Sequence, residues 1–326
     1  MSSTNILSRG YLAFCLWCFC LFATPLYAAE KFPSKPITIV VPFPPGGISG
    51  ITAMTYGKYM EKYLGVPVVV DYKPGGGTVV GTQYVVNANP DGYTILNAGE
   101  VFTSVLAGTA PYKVEDLTVL AQVTLNGNVL AVRSDAPWKN FQDFVDFARK
   151  NPGVKYAHPG VGTWIFFRTE NMNRQAKLGM VNVPMKGDAE AVSALIGGHV
   201  PVAALSTYTA RSQEEAGKVR ILLSYDKAEG YGLDPNIPDI ESFFKGSVYD
   251  IVCSIYLYAP AKTPRDRIEI LRNAIEKATK EPGFVQDMKK IGHRVAYMSG
   301  EKVMKEVLPK KIEIVREIMK DTGMIK

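Results

Sequence analysis

The fold of this chain is decided by residues 37–50, which have the sequence ITIVVPFPPGGISG. The first five residues of this stretch are apolar and mostly β-branched, which is typical of a strand buried on both faces. The prolines that follow end the strand, because proline has no N–H to donate to a ladder. Gly46 and Gly47 permit positive φ and a close approach of the backbone to a ligand. Ser49 is the expected N-cap of a helix that extends to about Leu64.

This strand–turn–helix unit predicts an anion site. The free N–H groups and the positive end of the helix dipole would point at whatever lies over the two glycines, and a carboxylate fits there as well as a phosphate. The alternative is an ordinary tight turn of an α/β fold, since such turns are common.

Strand, turn and helix patterns alternate through the first hundred residues. A β-branched run at 66–70 leads into the glycine turn 71–78, a helical pattern follows at 79–88, and a third strand is expected at 93–97. The alternation predicts a mainly parallel sheet with helices on its faces. Ligands of such sheets collect at the carboxyl ends of the strands, where the glycine turns lie.

The second half of the chain contains another strand, glycine turn and helix in the same order. A strand at 154–157 is followed by the glycine turn 158–163 and a helix at about 164–177. Two lobes, each with a glycine turn and a helix N-terminus, could therefore close on one anion. Extended patterns at 119–132 and 251–258 are the expected crossings between the lobes.

Other patterns predict helices. One runs over 138–150 with an inward face, and others cover 188–196 and about 263–278; the last forty residues look helical apart from Pro309, with His293 ending a helix. The inward face of the first consists of Phe141, Phe144, Val145 and Ala148.

The N-terminal segment looks like a secretory signal peptide. Arg9 precedes an apolar run at 11–23, and Leu26-Tyr-Ala-Ala29 offers small residues for cleavage. The run is short for a transmembrane helix, although an uncleaved anchor is the alternative. The mature chain would keep Cys253 alone, expected to be a buried, inert thiol.

The charge pattern argues against nucleic acid as a partner. The chain has 37 Lys and Arg against 31 Asp and Glu, and the excess is spread out, without a basic block or interleaved aromatic residues.

The sequence resembles several enzyme motifs but lacks an essential residue of each. Val80 and Ile165 occupy positions where dinucleotide fingerprints need their third glycine, and Ile51 occupies the last glycine position of a nucleophile elbow. The three histidines have no ligand spacing between them. The sequence therefore predicts no enzyme activity, no metal and no cofactor.

Three segments resemble the Bug family, the periplasmic substrate-binding proteins of tripartite tricarboxylate transporters. They are VPFPPGG at 41–47, NPDGYTIL at 89–96 and VPMKGDAEAVSALIGGHV at 183–200. The resemblance covers about 31–326. It implies an α/β Venus-flytrap fold of two lobes, joined by two strands that act as a hinge. Lobe 1 would comprise residues 30–130 plus 253–326 and lobe 2 residues 131–252, after a signal peptide at 1–29.

The resemblance also implies where the ligand binds, namely at backbone amides and small hydroxyls of matching turns. The corresponding residues are Phe43, Pro45, Gly46, Gly47, Ser49, Gly99, Glu100, Val101, Gly160, Val161, Gly162, Thr163, Ser206, Thr207 and Tyr208. His158 is a further candidate because it begins the second glycine turn.

This sequence departs from the family on the ligand side. The family commonly has aspartate at Gly50 and a small hydroxyl residue at Glu100. Glu100 would repel a carboxylate unless it were protonated, turned away or paired with an amine or hydroxyl, so an aromatic or a hydroxy- or amino-substituted acid is an option. His158 could pair with a second carboxylate. The aromatic residues at 164, 166 and 167 could line the pocket, with core packing favoured for at least two of them.

These observations predict a monomeric periplasmic binding protein for a small mono- or dicarboxylate. It would deliver that ligand to the membrane permease of a tripartite tricarboxylate transporter. The alternatives are a binding protein that presents its ligand to a sensor kinase and, less favoured, a secreted α/β hydrolase.

Overall fold

Eleven strands and eleven α-helices make up the part of the chain that the computed structural model describes, residues 31–228, 230–244, 253–321 and 323–325. The strands are β1 (Ile37–Val41), β2 (Val68–Tyr72), β3 (Thr94–Ala98), β4 (Leu117–Asn126), β5 (Asn128–Arg133), β6 (Lys155–His158), β7 (Val181–Pro184), β8 (Val202–Ser206), β9 (Val219–Ser224), β10 (Ser254–Pro260) and β11 (His293–Ser299).

The helices connect these strands. They are α1 (Ile48–Leu64), α2 (Val79–Val86), α3 (Phe102–Leu106), α4 (Phe141–Lys150), α5 (Trp164–Gln175), α6 (Asp188–Ile196), α7 (Thr207–Glu215), α8 (Arg265–Thr279), α9 (Pro282–Lys290), α10 (Gly300–Lys302) and α11 (Leu308–Asp321). The segment proposed as a signal peptide lies outside the described residues. Within those residues, no helix has the length and apolarity to cross a membrane.

The strands form two sheets. The order is β11-β4-β10-β3-β1-β2 in the first and β7-β6-β8-β5-β9 in the second, with helices on their faces. The predicted two-lobed α/β fold is confirmed. Strands β1, β2 and β3 pair in parallel, as do β6, β7 and β8, but both sheets are mixed, because β10 pairs antiparallel with β3 and β4, and β5 pairs antiparallel with β8 and β9. The chain leaves the first sheet after β4 and returns to it with β10, which runs in the opposite direction. In the same way, it enters the second sheet with β5 and leaves it after the antiparallel strand β9.

The first crossing between the sheets is a nearly continuous extended segment. β4 ends at Asn126, Gly127 follows, and β5 begins at Asn128 in the second sheet. A Cβ at Gly127 would lie 2.6 Å from Thr207 Oγ1 and from the Tyr231 ring, so only glycine fits this junction. Part of the second predicted crossing, residues 251 and 252, lies outside the described residues.

Local patterns are reproduced well in the helices. The four residues predicted to face inward on α4 are all buried, and α6 has the predicted bounds. Helix α4 has Asn140 as its N-cap, whose side chain accepts the amide of Asp143. Its buried face packs into the core of the second sheet.

The prediction of helix for the last forty residues is confirmed at the end of α9 and over 300–321, but it is wrong at residues 293–299. His293 begins strand β11 rather than ending a helix, because β4 has an open edge with which residues 293–299 pair. Pro309 lies inside the C-terminal helix rather than interrupting it. A π-helical turn at Val303–Val307 directly precedes α11, so the regular i→i−4 hydrogen bonding is already interrupted where Pro309 has no N–H to donate.

Candidate functional site

A cavity of 330 Å³, the main cavity, lies between the two sheets. Most of its lining comes from four segments, namely the turns after β1, β3 and β6 and the connection between β7 and α6; Thr78, Asn126, Cys253 and Ile255 add to it. These turns follow the carboxyl ends of strands that pair in parallel within each sheet. The main cavity therefore lies where open α/β sheets usually bind ligands.

Eight residues predicted from the sequence line the main cavity. They are Phe43, Gly47, Ser49, Gly99, Glu100, Val101, Gly162 and Thr163. A second cavity of 440 Å³, the side cavity, is lined by Gly160 and Val161 and shares Phe43 and Gly162 with the main cavity. The structure thus brings the glycine turns of both halves to one place.

Six predicted residues line neither cavity: Pro45, Gly46, His158, Ser206, Thr207 and Tyr208. Gly46 adopts the positive φ (+89°) expected of it, but at the exposed tip of its turn. The hydroxyl of Ser206 caps α7, where it accepts the amide of Thr209 and donates to the Thr209 hydroxyl. Ligand contacts by these six residues stay a prediction that the geometry does not favour.

His158 is fully buried beside the turn rather than facing the main cavity. Its Nδ1 accepts the amide of Gly160 at 3.3 Å, and its ring lies between those of Tyr156 and Phe166. Burial lowers the pKa of His158 to about 4, because the charged form loses its hydration. The imidazole is therefore neutral at neutral pH and positions the turn.

Three helix N-termini meet at the main cavity. Helix α1 begins after Gly47, which is its N-cap, so Ser49 lies in the first turn and is not the predicted cap. Helix α5 begins after Thr163, whose Oγ1 accepts the amide of Phe166 and donates to the carbonyl of Gly160 at 2.7 Å. The first-turn amides of a helix have no acceptor within it, and the helix dipole makes this end positive. The arrangement favours an anion.

The third N-terminus was missed by the sequence reasoning. Gly187 caps α6, and residues 186–190 line the main cavity. A glycine between the end of β7 and a predicted helix was the available signal. Asp188, in the first turn of α6, turns its carboxylate towards α7, where it accepts the amide of Ser206 and the hydroxyl of Thr209. Burial raises the pKa of Asp188.

Glu100 is paired with a lysine from a distant part of the chain. Its Oε1 accepts from Lys311 Nζ at 2.7 Å, and the side chains of Glu100 and Lys311 are 1% and 8% exposed. Lys311 also donates to Ser254 Oγ at 2.8 Å and to the Tyr256 hydroxyl at 3.2 Å. Burial raises the pKa of Glu100 to about 7, and the neighbouring ammonium opposes that rise. Lys311 gave no signal in the sequence.

Aromatic residues complete the wall of the main cavity. Trp164 lines it and packs edge-on against Phe102, while Phe166 and Phe167 are packed in the hydrophobic core, as predicted for at least two of the three. Cys253 also lines the main cavity; it is buried, as predicted, and burial raises the pKa of its thiol.

The glycine at position 50 leaves room for a tyrosine. A Cβ at Gly50 would lie 2.6 Å from the Tyr72 hydroxyl, so the Tyr72 ring occupies the space that a side chain at residue 50 would need. This explains how the chain can lack an acidic residue there without a gap.

Comparison with known proteins identifies the family. A model described as the tripartite tricarboxylate transporter family receptor (TctC) matches residues 53–324. A UPF0065 protein of Bordetella pertussis is 30% identical over 274 residues, which cover 82% of this chain and 83% of that protein.

Solved structures show the same fold. The periplasmic binding protein BugD superposes with a TM-score of 0.81 at 24% identity, over 90% of this chain and 99% of its own. MatC from Rhodopseudomonas palustris, solved with bound malate, superposes with a TM-score of 0.78 at 23% identity, over 88% and 99% of the two chains. The chain belongs to the Bug (TctC) family of periplasmic receptors of tripartite tricarboxylate transporters.

Proposed function

We propose that this protein captures a small mono- or dicarboxylate in the main cavity and delivers it to a tripartite tricarboxylate transporter permease. The supporting observation is the convergence of three helix N-termini, those of α1, α5 and α6, on one cavity between the two sheets. Their unpaired amides and dipoles stabilise a carboxylate.

The charges around the main cavity are compatible with an acid. The negative charge of Glu100 is matched by Lys311, and the carboxylate of Asp188 accepts from the Ser206 amide at the end of β8 and the Thr209 hydroxyl in α7. Lys186 lines the rim of both cavities and adds a positive charge there. Glu190 also lines the main cavity; it is exposed, and its carboxylate accepts the backbone amide of Lys186. An acid would therefore meet donors at the helix ends, with the solvated Glu190 as the negative charge that is left at the rim.

The size of the main cavity supports a small ligand. Its 330 Å³ lies at the lower end of the ~300–1,000 Å³ typical of small-molecule sites. In this proposal, residues 30–130 with 253–326 form one lobe and 131–252 the other, and closure removes water from around the acid. Drying strengthens the hydrogen bonds to the acid, because water no longer screens them.

A thermal-shift panel tests the capture of an acid. Mono-, di- and tricarboxylates, a neutral sugar and a divalent metal would each be added to the purified mature chain. An acid at about 100-fold its Kd should stabilise the fold by about 2.7 kcal/mol and raise the melting temperature. A shift with the sugar or metal and with none of the acids would overturn the proposal.

Delivery and export need their own measurements. Uptake of the labelled acid should fall when the gene is disrupted and recover with the intact gene; unchanged uptake would contradict delivery. The N-terminal sequence of protein from the periplasm should begin at residue 29 or 30 if the signal peptide is cleaved as proposed.

A further inference from the structure

Three buried polar atoms on the wall of the main cavity find no hydrogen-bond partner among the described residues. They are Glu100 Oε2, Asn126 Oδ1 and Trp164 Nε1. Buried polar groups are nearly always paired, so each such atom requires an explanation. Here two acceptors and one donor, from three separate segments, border the same space.

Glu100 is held so that one of its oxygens is left over. Lys311 donates to Oε1 and also to the hydroxyls of Ser254 and Tyr256, whereas Oε2 has no hydrogen-bond partner among the described residues. A buried ion pair is expensive to desolvate and could be replaced by apolar residues without loss of stability. Stability alone therefore gives no reason for a buried carboxylate with an unused oxygen at a cavity wall.

We propose that Glu100, positioned by Lys311 and assisted by Asn126, selects acids that carry a hydrogen-bond-donating substituent, a hydroxyl or a primary amine. The inference rests on the proposed function and narrows its ligand class. The carboxylate of the ligand lies at the helix N-termini, its hydroxyl or amine donates to Glu100 Oε2 and Asn126 Oδ1, and Trp164 Nε1 donates to an oxygen of the ligand.

The site discriminates between the two kinds of acid because an acid without a hydroxyl or amine leaves the two acceptors unpaired. Such an acid fills the cavity with CH2 groups and traps the two acceptors without a donor and without water. Leaving a buried acceptor unpaired weakens binding about tenfold to a hundredfold. An acid that carries the donor avoids this cost.

Calorimetric titration of the wild-type mature chain with matched acids tests the inference. Succinate is compared with malate and aspartate, and glutarate with 2-hydroxyglutarate and glutamate. The substituted acid should bind at least about tenfold more tightly in the better-binding series. The affinities of the hydroxy acid and the amino acid of that series then show whether the site prefers a hydroxyl or an amine as the donor. Equal affinities, or tighter binding of the unsubstituted acid, would overturn the inference and leave the proposed function intact. Absence of binding by these six acids and by every acid of the thermal-shift panel would overturn both.

A substitution tests the assignment to Glu100. In Glu100→Gln the amide oxygen faces Lys311 and the NH2 group faces the cavity, so the preference for a donor should fall to about threefold or less, or reverse. Glu269→Gln removes an exposed carboxylate on α8 and should keep the wild-type preference. A Glu100→Gln protein that retains the full preference would overturn the assignment. If that variant does not fold, the wild-type comparison still decides whether the cavity requires a donor.

Discussion

Gly77 lies where the glycine turn after β2 meets the glycine turn after β6. A substitution at Gly77 should distinguish the effect of closing the two lobes on ligand affinity from the effect of backbone strain on the stability of the fold. Gly77 belongs to the turn after β2, with φ +60°, and a Cβ added there would lie 2.7 Å from the carbonyl oxygen of Val161 in the turn after β6. Both residues line the side cavity. The new Cβ is fixed to the backbone of one turn and meets a backbone oxygen of the other, so no change of side-chain rotamer can relieve the contact.

The cost of Gly77→Ala has two parts. An ordinary contact would be 3.4 Å or more, so the two turns must separate by about 0.7 Å. Overpacking of this kind costs about 1–3 kcal/mol and is felt only when the lobes are closed, which corresponds to a five- to 150-fold rise in Kd. The left-handed backbone adds about 1–2 kcal/mol whether the lobes are open or closed.

Gly76→Ala is the matched control. Gly76 has nearly the same φ, +57°, but its Cβ would contact Val79, the first residue of α2 on the same side of the cleft, at 3.3 Å. Both variants should therefore melt at lower temperatures than the wild type without ligand. In calorimetric titration with the tightest acid of the panel, only Gly77→Ala should lose affinity.

Two results would refute this reasoning. Equal losses of affinity in both variants would mean that strain within the turn, rather than contact across the cleft, controls binding. Unchanged affinity in Gly77→Ala would mean that the turns do not touch in the ligand-bound state.

Three further changes test the site and the fold. Burial raises the pKa of Glu100 to about 7 from 4.5, so between these two pH values the folded wild type holds a proton that the unfolded chain releases. The free energy of unfolding should therefore fall as the pH rises from 4.5 to about 7. The urea midpoints measured at about pH 5 and pH 8 should differ less for Glu100→Gln than for the wild type. Thr163→Ala removes the N-cap of α5 and should cost about 1 kcal/mol of unfolding free energy and weaken acid binding; unchanged values would contradict the cap. Thr124→Val leaves the Tyr56 hydroxyl and His293 Nδ1 without their shared partner and should cost about 2–5 kcal/mol in denaturant melts, whereas a loss below about 1 kcal/mol would mean that these groups find other partners.

The glycine turns were predictable because their signals are local. The β-branched run of β1, the prolines behind it and the following glycines lie within one short stretch, and each acts on its own backbone. The same holds for the buried face of α4, which follows from helical spacing alone. Family resemblance then connected the two turns into one site.

Other features depend on partners far away in the chain. Lys311 lies 211 positions from Glu100, and nothing in its own helix indicates that its ammonium is buried. Strand β11 forms because β4 offers an edge, although its sequence continues a helical pattern. Ser206 matches the family by position, yet it caps its own helix instead of lining the main cavity.

By itself, the sequence determined the α/β class, the positions of the glycine turns and the family, since these depend on backbone conformations that neighbouring residues impose. The tertiary structure alone decided that three helix N-termini rather than two meet at the cavity, and that Glu100 pairs with Lys311 through one oxygen while the other has no partner among the described residues. The reason is physical: sheet pairing and lobe packing set which distant groups meet, and burial sets the charge and hydrogen bonding of those groups once they have met.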